Sequence, residues 1–119
     1  MKEEKFKVIQ FSRELIYALE NYLDNFPRKD LELKNRIKNT SYDILEKLYI
    51  ANTTPDVKER VSILYKIIAK IKLLDFLLNL CYDKHIINSK RYTKFGDKMD
   101  DLLKYINGWI KNSEQNIIN

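Results

Sequence analysis

The stretch LYKIIAKIKLLDFLLNLC, residues 64–81, decides the fold of this 119-residue chain. Its apolar residues recur at steps of three and four without a gap: Leu64, Ile67, Ile71, Leu74, Leu78 and Cys81. Val61, Ile68 and Leu77 widen the same stripe. This repeat is typical of an α-helix that buries one side, so the stretch predicts a long helix at the centre of an apolar core.

Outward from this stretch, three breaks divide the chain into four segments of helical length. They lie at Phe26-Pro27, at residues 52–56 and at residues 87–89. The predicted helices span about residues 5–25, 31–52, 55–85 and 89–112, with a frayed tail over residues 113–119. Short connections between such rods favour antiparallel neighbours. The chain, residues 1–119, is therefore predicted to be a single all-α domain, an antiparallel up-down-up-down four-helix bundle.

The other three segments carry the same helical repeat. In the first segment it comprises Ile9, Ile16, Leu19, Leu23 and Phe26, and an adjacent stripe widens the predicted buried face: Val8, Phe11, Leu15, Ala18 and Tyr22. In the second it comprises Leu33, Ile37, Ile44, Leu48 and Ala51, with the small Ser41 between them. In the fourth it comprises Tyr92, Phe95, Met99, Leu102, Ile106 and Trp109. The aromatic residues of the fourth segment could also stack on bases, but their helical spacing favours core packing.

Local signals predict where the helices begin and end. Pro27 lacks a backbone N–H and disfavours a helical Phe26, so the first helix is predicted to stop there, with Phe26 closing the core. Thr54, followed by Pro55 and an acid, is a helix-start signal in which the hydroxyl caps free N–H groups. Ser89 is predicted to cap the fourth helix in the same way.

The composition argues against an enzyme. The chain has one histidine, one cysteine and two glycines, so the residues typical of nucleophilic, metal-binding and nucleotide-binding sites are scarce. His85 is predicted to complement the negative end of the third helix, and the arginine that a small helical ribonuclease would place before it is missing from residues 79–84. Asp97, Asp100 and Asp101 alternate with lysines, as on a solvated helix face, and are expected to pair with those lysines. We therefore predict no catalytic residue, no cofactor and no metal ligand.

Cysteine usage and hydropathy point to the cytoplasm. Cys81 is the only cysteine, so it cannot form a disulfide within the chain and suits a reducing compartment. The start of the sequence has no apolar segment typical of a signal peptide. The most apolar run, residues 73–81, is interrupted by Asp75 and Asn79 and is too short to span a bilayer.

A modest excess of positive charge indicates polyanion binding. The net charge is +5 and the pI is near 9.2, with the excess in the last three segments. The best candidates for phosphate contacts recur at helical spacing: Lys66, Lys70, Lys90, Arg91, Lys94 and Lys98. The alternative interpretation is a solubilising surface, since acidic residues alternate with these lysines.

Four short pieces, in this order and at this spacing, carry a resemblance to a known family. They are Phe26-Pro27-Arg28, Leu33 through Arg36-Ile37, Leu45 through Ala51-Asn52, and Asn107-Gly108-Trp109-Ile110-Lys111. Over roughly residues 11–112 the chain resembles the Avd-like family, which comprises accessory variability proteins of diversity-generating retroelements and related small four-helix bundles.

The resemblance implies a function without catalysis. An Avd-like protein is expected to be a basic homo-oligomer, a pentamer, that binds the reverse transcriptase and its template RNA or cDNA and supports mutagenic reverse transcription. It also implies a subunit interface at Gly108 and Trp109, where the glycine lets a neighbouring copy approach closely. The alternative is an oligomeric helical scaffold or interaction module with no nucleic-acid role.

Overall fold

The computed structural model describes the backbone of residues 2–118 and the side chains of residues 5–115. Its four α-helices are α1 (Lys2–Leu23), α2 (Leu31–Thr53), α3 (Val57–Asp83) and α4 (Ser89–Ile118). A short 3-10 helix, Arg28–Asp30, precedes α2. Over residues 2–118 the chain contains no β-strand, so the predicted all-α class is confirmed.

The helices form a closed ring of neighbours. The backbones of α1 and α2, α2 and α3, α3 and α4, and α4 and α1 approach each other closely, whereas no Cα atoms of the diagonal pairs come within 8 Å among the described residues. The bundle is elongated, with extents of 52 × 23 × 19 Å. Consecutive helices that pack side by side through short loops must alternate in direction, which gives the predicted up-down-up-down bundle.

One apolar cluster fills the space between the four helices. The buried apolar residues of α2, α3 and α4 are largely those of the helical repeat: Ile37, Ile44, Leu48, Ala51, Leu64, Ile67, Ile71, Leu74, Leu77, Leu78, Cys81, Phe95, Met99, Leu102, Ile106, Trp109 and Ile110. From α1 the core takes Val8, Leu15, Leu19 and Leu23. Ser41, predicted to permit close packing, is buried among them and donates its hydroxyl to Lys38 O at 2.8 Å.

The first helix ends earlier than the proline predicts. The last α1 residue is Leu23, and the N–H groups of Asn25 and Phe26 then donate to Tyr22 O and Leu23 O, both at 3.3 Å. Phe26 is half-buried against the core, as expected for a residue that closes its end. Pro27 follows in an extended conformation, so it acts after the helix has already ended.

The cap of α3 is Asp56 rather than Thr54. The Asp56 Oδ2 atom accepts the N–H of Glu59 at 3.0 Å, and α3 begins at Val57 instead of the predicted residue 55. Thr54 instead donates its hydroxyl to Ile50 O at 2.7 Å, at the end of α2. A hydroxyl can form hydrogen bonds at either end of a helix. Here Thr54 satisfies a backbone carbonyl at the end of α2, and Asp56 satisfies a backbone N–H at the start of α3.

The end of α3 has the hydrogen bonds of a Schellman motif. The His85 N–H donates to Tyr82 O at 3.0 Å, and the Ile86 N–H donates to Cys81 O at 2.8 Å. This pattern needs a left-handed residue after the helix, and His85 has φ 63°. Among the described residues, His85 is the only non-glycine with positive φ. The fold therefore uses the backbone of His85 at a position that usually holds glycine.

The fourth helix differs from its prediction at both ends. The Oδ1 atom of Asn88 accepts the N–H of Arg91 at 2.8 Å, so Asn88 is the cap and Ser89 is the first helical residue. At the other end α4 continues to Ile118, beyond the predicted limit near residue 112. Ser113 is fully buried, and the guanidinium of the partly buried Arg60 lies 3.5 Å from its hydroxyl. Packing against α3 thus keeps this segment helical; Asn119 lies outside the described residues.

None of the described helices combines the length and the apolar composition needed to cross a bilayer.

We predict that Asp56→Ala lowers the free energy of unfolding by about 1 kcal/mol, because it removes the side chain that caps α3. Thermal or denaturant unfolding followed by circular dichroism measures the change. Asp56→Asn is the matched control, since its side-chain oxygen can still accept the Glu59 N–H. Equal losses in the two variants would contradict the assignment of the cap.

We predict that His85→Gly raises the free energy of unfolding by about 0.5–1 kcal/mol, because glycine adopts the left-handed conformation without a steric penalty. Denaturant unfolding measures the gain. His85→Ala keeps the penalty and removes the imidazole, so this control should remain close to the wild type. A loss of stability in the alanine variant alone would assign the role to the imidazole instead of the backbone.

Candidate nucleic-acid interface

The six basic residues predicted to contact nucleic acid lie on two separate sides of the bundle. Lys66 and Lys70 lie one turn apart on α3, and Lys70 Nζ is 3.3 Å from Asp43 Oδ2 of α2. The remaining four lie in the first turns of α4: Lys90, Arg91, Lys94 and Lys98. Arg91 contacts Tyr22 of α1. The α2–α3 and α1–α4 sides are opposite in the ring of helices, so the fold does not unite the two groups.

The group on α3 offers little free charge. The ammonium of Lys70 forms an ion pair with Asp43, and both side chains are partly exposed. Such a pair contributes at most about 1 kcal/mol to stability, but its carboxylate competes with a phosphate for the ammonium. Lys66 is exposed and has no ion-pair partner among the described side chains. Only one of these two lysines is therefore free to bind a phosphate.

The group on α4, which we call the α4 stripe, is better suited to anions. Lys90 and Lys94 are exposed, and Arg91 and Lys98 are half-buried. None of the four takes part in a salt bridge between described side chains. The stripe also begins at the N-terminus of α4, where unpaired N–H groups carry a partial positive charge. Side chains and helix end thus attract phosphate at the same place.

Arg91 is held in place by an aromatic contact between two helices. Its guanidinium carbon lies 3.6 Å from the centre of the Tyr22 ring. Tyr22 in turn meets the buried Phe95 edge-on, with ring centres 5.8 Å apart and an interplanar angle of 85°. A stacked guanidinium keeps its N–H donors at its rim, so Arg91 can bind a phosphate without leaving the ring. The sequence showed no sign of this pair, because its members are 69 positions apart.

The profile of the bAvd-like family matches residues 3–113. The match covers almost the whole chain and part or all of each helix. The chain belongs to the bAvd-like family. The predicted Avd-like resemblance is thereby confirmed, and at family level it identifies a diversity-generating retroelement accessory protein of non-catalytic type. No curated protein matches the chain.

In this bAvd-like chain, the predicted subunit interface at Gly108 and Trp109 falls near the C-terminal end of α4. The indole of Trp109 is buried inside its own bundle, where it belongs to the core. Gly108 is half-buried. A neighbouring copy could therefore reach the backbone at Gly108 but not the Trp109 side chain. The interface itself stays a prediction.

The aromatic residues of α4 mostly serve the core. Phe95 and Trp109 are buried, which confirms the core interpretation for both and removes them as base-stacking surfaces. Tyr92 is half-buried, and it stacks on the more exposed Tyr82 with ring centres 5.5 Å apart. The Tyr92 hydroxyl donates to Asp75 Oδ1 at 3.3 Å. Burial, and then the Asp75 charge, raise the pKa of Tyr92, so its phenol stays neutral.

The bAvd-like chain shows no arrangement typical of catalysis at Cys81. Burial, followed by the charge of Asp30, raises the pKa of the Cys81 thiol to about 11. Asp30 is itself buried and lies 3.2 Å from Lys84 Nζ, so this ion pair joins the two loops at one end of the bundle. A protonated, buried thiol is a poor nucleophile.

The acidic residues of α4 do not form the pairs expected from their spacing. Asp97, Asp100 and Asp101 are exposed, and the salt bridges between described side chains do not include them. The expected pairing with neighbouring lysines was therefore wrong, since exposed side chains gain little from it. Across residues 5–115, no three His, Cys, Asp or Glu side chains are grouped to hold a metal ion.

We predict that native Cys81 reacts with Ellman's reagent at pH 8 at least about 100-fold more slowly than the unfolded chain, because a pKa of about 11 leaves little thiolate. Absorbance at 412 nm measures the rate. Tyr82→Cys in a Cys81→Ala background is the matched control, since it places the thiol at an exposed neighbouring position. Fast labelling of native Cys81 would contradict its burial.

The same thiol makes stability depend on pH in the alkaline range. Its pKa is about 11 in the folded chain, compared with an ordinary value of 9.0. The native state therefore holds this proton more tightly, and the contribution of Cys81 to the free energy of unfolding falls as pH rises from about 9 towards 11.

Proposed function

We propose that this bAvd-like protein is a non-enzymatic accessory factor that binds the reverse transcriptase of a diversity-generating retroelement together with its template RNA or cDNA. In this role it supports mutagenic reverse transcription. Family membership supports the retroelement context. The proposal places the protein in the cytoplasm, in line with its single reduced cysteine.

The observation that carries the nucleic-acid part is the α4 stripe. Lys90, Arg91, Lys94 and Lys98 combine positive charge, freedom from acidic partners among the described residues, and the positive end of a helix. Contacts of this kind bind phosphates without reading bases. A protein that must accompany a polymerase along changing sequence needs such contacts. The Lys66 and Lys70 group contributes less, because Asp43 already pairs with Lys70.

The proposal includes self-association. One chain has a net charge of only +5, and its stripe spans a few turns of one helix. Identical copies in one assembly would place several stripes on a single strand, so that weak contacts add up to tight binding. The family resemblance suggests a homo-oligomer, with the pentamer as its expected form.

The second candidate function is an oligomeric scaffold or interaction module without a nucleic-acid role. Its support is the separation of the basic residues onto opposite sides of the bundle, which leaves each side with only a small positive field. Under this alternative the lysines serve solubility, and the exposed apolar surface of the protein carries the function.

We predict that replacing Lys90, Lys94 and Lys98 together by Gln weakens binding of single-stranded RNA at least about tenfold at low salt. Each lost phosphate contact also reduces the slope of log K against log salt by about 0.7, so the slope should fall by about 2. Fluorescence anisotropy across a salt series measures both quantities. Arg91 is left in place, because its contact with Tyr22 also stabilises the fold.

The control variant replaces Lys47, Lys58 and Lys111 by Gln, which removes the same charge from outside the predicted set. It should keep most of the affinity. Equal losses of RNA affinity in both variants would show that the α4 stripe contributes only non-specific positive charge. That result would favour the scaffold function. A wild-type chain that binds no RNA at low salt, and does not co-purify with the reverse transcriptase of its retroelement, would refute the proposed function.

A further inference from the structure

A hollow on the side of the bundle formed by α1 and α2 is lined by three exposed aromatic rings. The rings are those of Phe6, Tyr17 and Tyr49, and the volume of the hollow is about 520 Å³. Phe6 and Tyr17 are 72% and 65% exposed, more than any other large apolar side chain among the described residues. Such side chains are common on a surface singly, but not as a group. The volume is typical of small-ligand pockets, so the hollow is a candidate binding site.

Polar side chains alternate with the rings on one face of α1. Phe6, Gln10, Arg13 and Tyr17 follow each other at steps of four, three and four, so they form one row along the helix. All four line the hollow. We call them, together with Tyr49 of α2, the aromatic hollow. Arg13 is exposed and takes part in no salt bridge between described side chains. The row therefore offers two rings with a free cation between them.

The charge in the hollow decides between an apolar and an anionic occupant. An apolar helix laid over the row would bury the Arg13 guanidinium without a partner, which is costly. The acid that lines the hollow, Glu14, already accepts a hydrogen bond from Gln10 Nε2 at 3.3 Å. A phosphate beside Arg13 supplies the missing partner, and flat bases cover the faces of the rings. Surfaces that bind single-stranded nucleic acid combine these two features.

Two ring contacts between α1 and α4 fix the register of the hollow against the α4 stripe. Tyr22 meets Phe95 with ring centres 5.8 Å apart, and Phe11 meets Tyr105 with ring centres 5.3 Å apart. Both pairs obey one antiparallel register. Lys98 lies three residues after Phe95, so this register places it about three residues before Tyr22 along α1. The end of the stripe is thus level with the start of the hollow.

The α4 stripe and the aromatic hollow therefore meet at Lys98 and Tyr17, on adjacent sides of the bundle. Lys98 lies two helical turns after Arg91, which contacts α1, so the stripe faces α1. The stripe from Lys90 to Lys98 is about 12 Å long, and the row from Tyr17 to Phe6 is about 16.5 Å long. Because α1 and α4 are antiparallel, both rows run in the same direction. One extended strand can follow them in turn.

We propose that the aromatic hollow stacks unpaired bases of the same nucleic-acid strand whose phosphates the α4 stripe binds. The rings of Phe6, Tyr17 and Tyr49 take the bases, and Arg13 takes a phosphate between them. The inference rests on the nucleic-acid binding of the proposed function and defines the ligand as single-stranded RNA or cDNA. A duplex does not fit, because its paired and stacked bases offer no free face to a ring. Stacking on a ring tolerates any sequence, since every base has a flat face.

The test measures the affinity of the full chain for a single-stranded RNA of about 15 nucleotides and for the duplex of the same sequence, by fluorescence anisotropy. We expect Tyr17→Ala to weaken binding of the single strand about tenfold, the effect of losing one stacked base, and to leave duplex binding unchanged. The slope of log K against log salt should stay as in the wild type, because the ring contacts no phosphate. Arg13→Gln should instead reduce that slope by about 0.7.

Two matched variants control for the loss of the ring. Tyr17→Phe keeps the ring and should bind the single strand like the wild type. Phe76→Ala removes a ring of similar exposure from α3, outside the hollow, and should also bind like the wild type. A fluorescent base analogue in the strand reports stacking as a loss of emission, which Tyr17→Ala should restore. Circular dichroism checks that each variant is folded.

Three results would overturn the stacking inference. The first is equal loss of affinity in Tyr17→Ala and Phe76→Ala. The second is a wild-type chain that binds the duplex as tightly as the single strand. The third is wild-type affinity for the single strand in both Tyr17→Ala and Phe6→Ala.

Further outcomes separate this inference from the proposed function. If RNA binding depends on Lys90, Lys94 and Lys98 but not on the rings, the proposed function stands and the stacking inference is wrong. If the wild-type chain binds no RNA at low salt, the stacking inference and the nucleic-acid part of the proposed function are both wrong. If Tyr17→Ala keeps its RNA affinity but no longer co-purifies with the reverse transcriptase, the hollow binds the polymerase and the stacking inference is wrong.

Discussion

Burial of one apolar stripe from each of four long helices is the constraint on which the rest of the structure depends. A single amphipathic helix of this length cannot satisfy its apolar side in water, and most of its stability comes from packing. The stripes meet in one cluster that runs from Val8 to Ile110. Because each helix packs closely against two neighbours in the ring, each also has one outward side. Those outward sides are the surfaces available for function.

The ends of the helices are set by polar side chains and by one strained residue. Asp56 and Asn88 cap α3 and α4, and His85 takes the left-handed position that ends α3. At the same end of the bundle as His85, the Asp30–Lys84 ion pair joins two loops. These contacts bring the start of α4 close to the end of α1. That placement lets Arg91 stack on Tyr22, which fixes the cation at the centre of the candidate interface.

The distribution of charge suggests a division of tasks between the sides of the bundle. The α4 stripe lies towards α1 and is free of acidic partners among the described side chains. Exposed apolar side chains lie elsewhere on the bundle, including Phe6 and Tyr17 on α1 and Phe76 on α3. A bundle with separate outward sides thus keeps its basic surface and its exposed apolar side chains on different helix faces. This arrangement fits an accessory protein of the bAvd-like family.

The helical repeat of residues 64–81 and its three counterparts determined the fold class, the helix order and most core residues, because the period of apolar residues is local information. The same repeat predicted the core positions of Phe95 and Trp109, and short motifs predicted the family. Only the tertiary structure decided that Asp56 and Asn88 cap the helices, that α4 continues past Ser113, and that Lys70 and Arg91 lie on opposite sides. These outcomes depend on contacts between residues far apart in the chain, as with Arg91 and Tyr22. A local sequence pattern contains no information about which distant side chains come into contact.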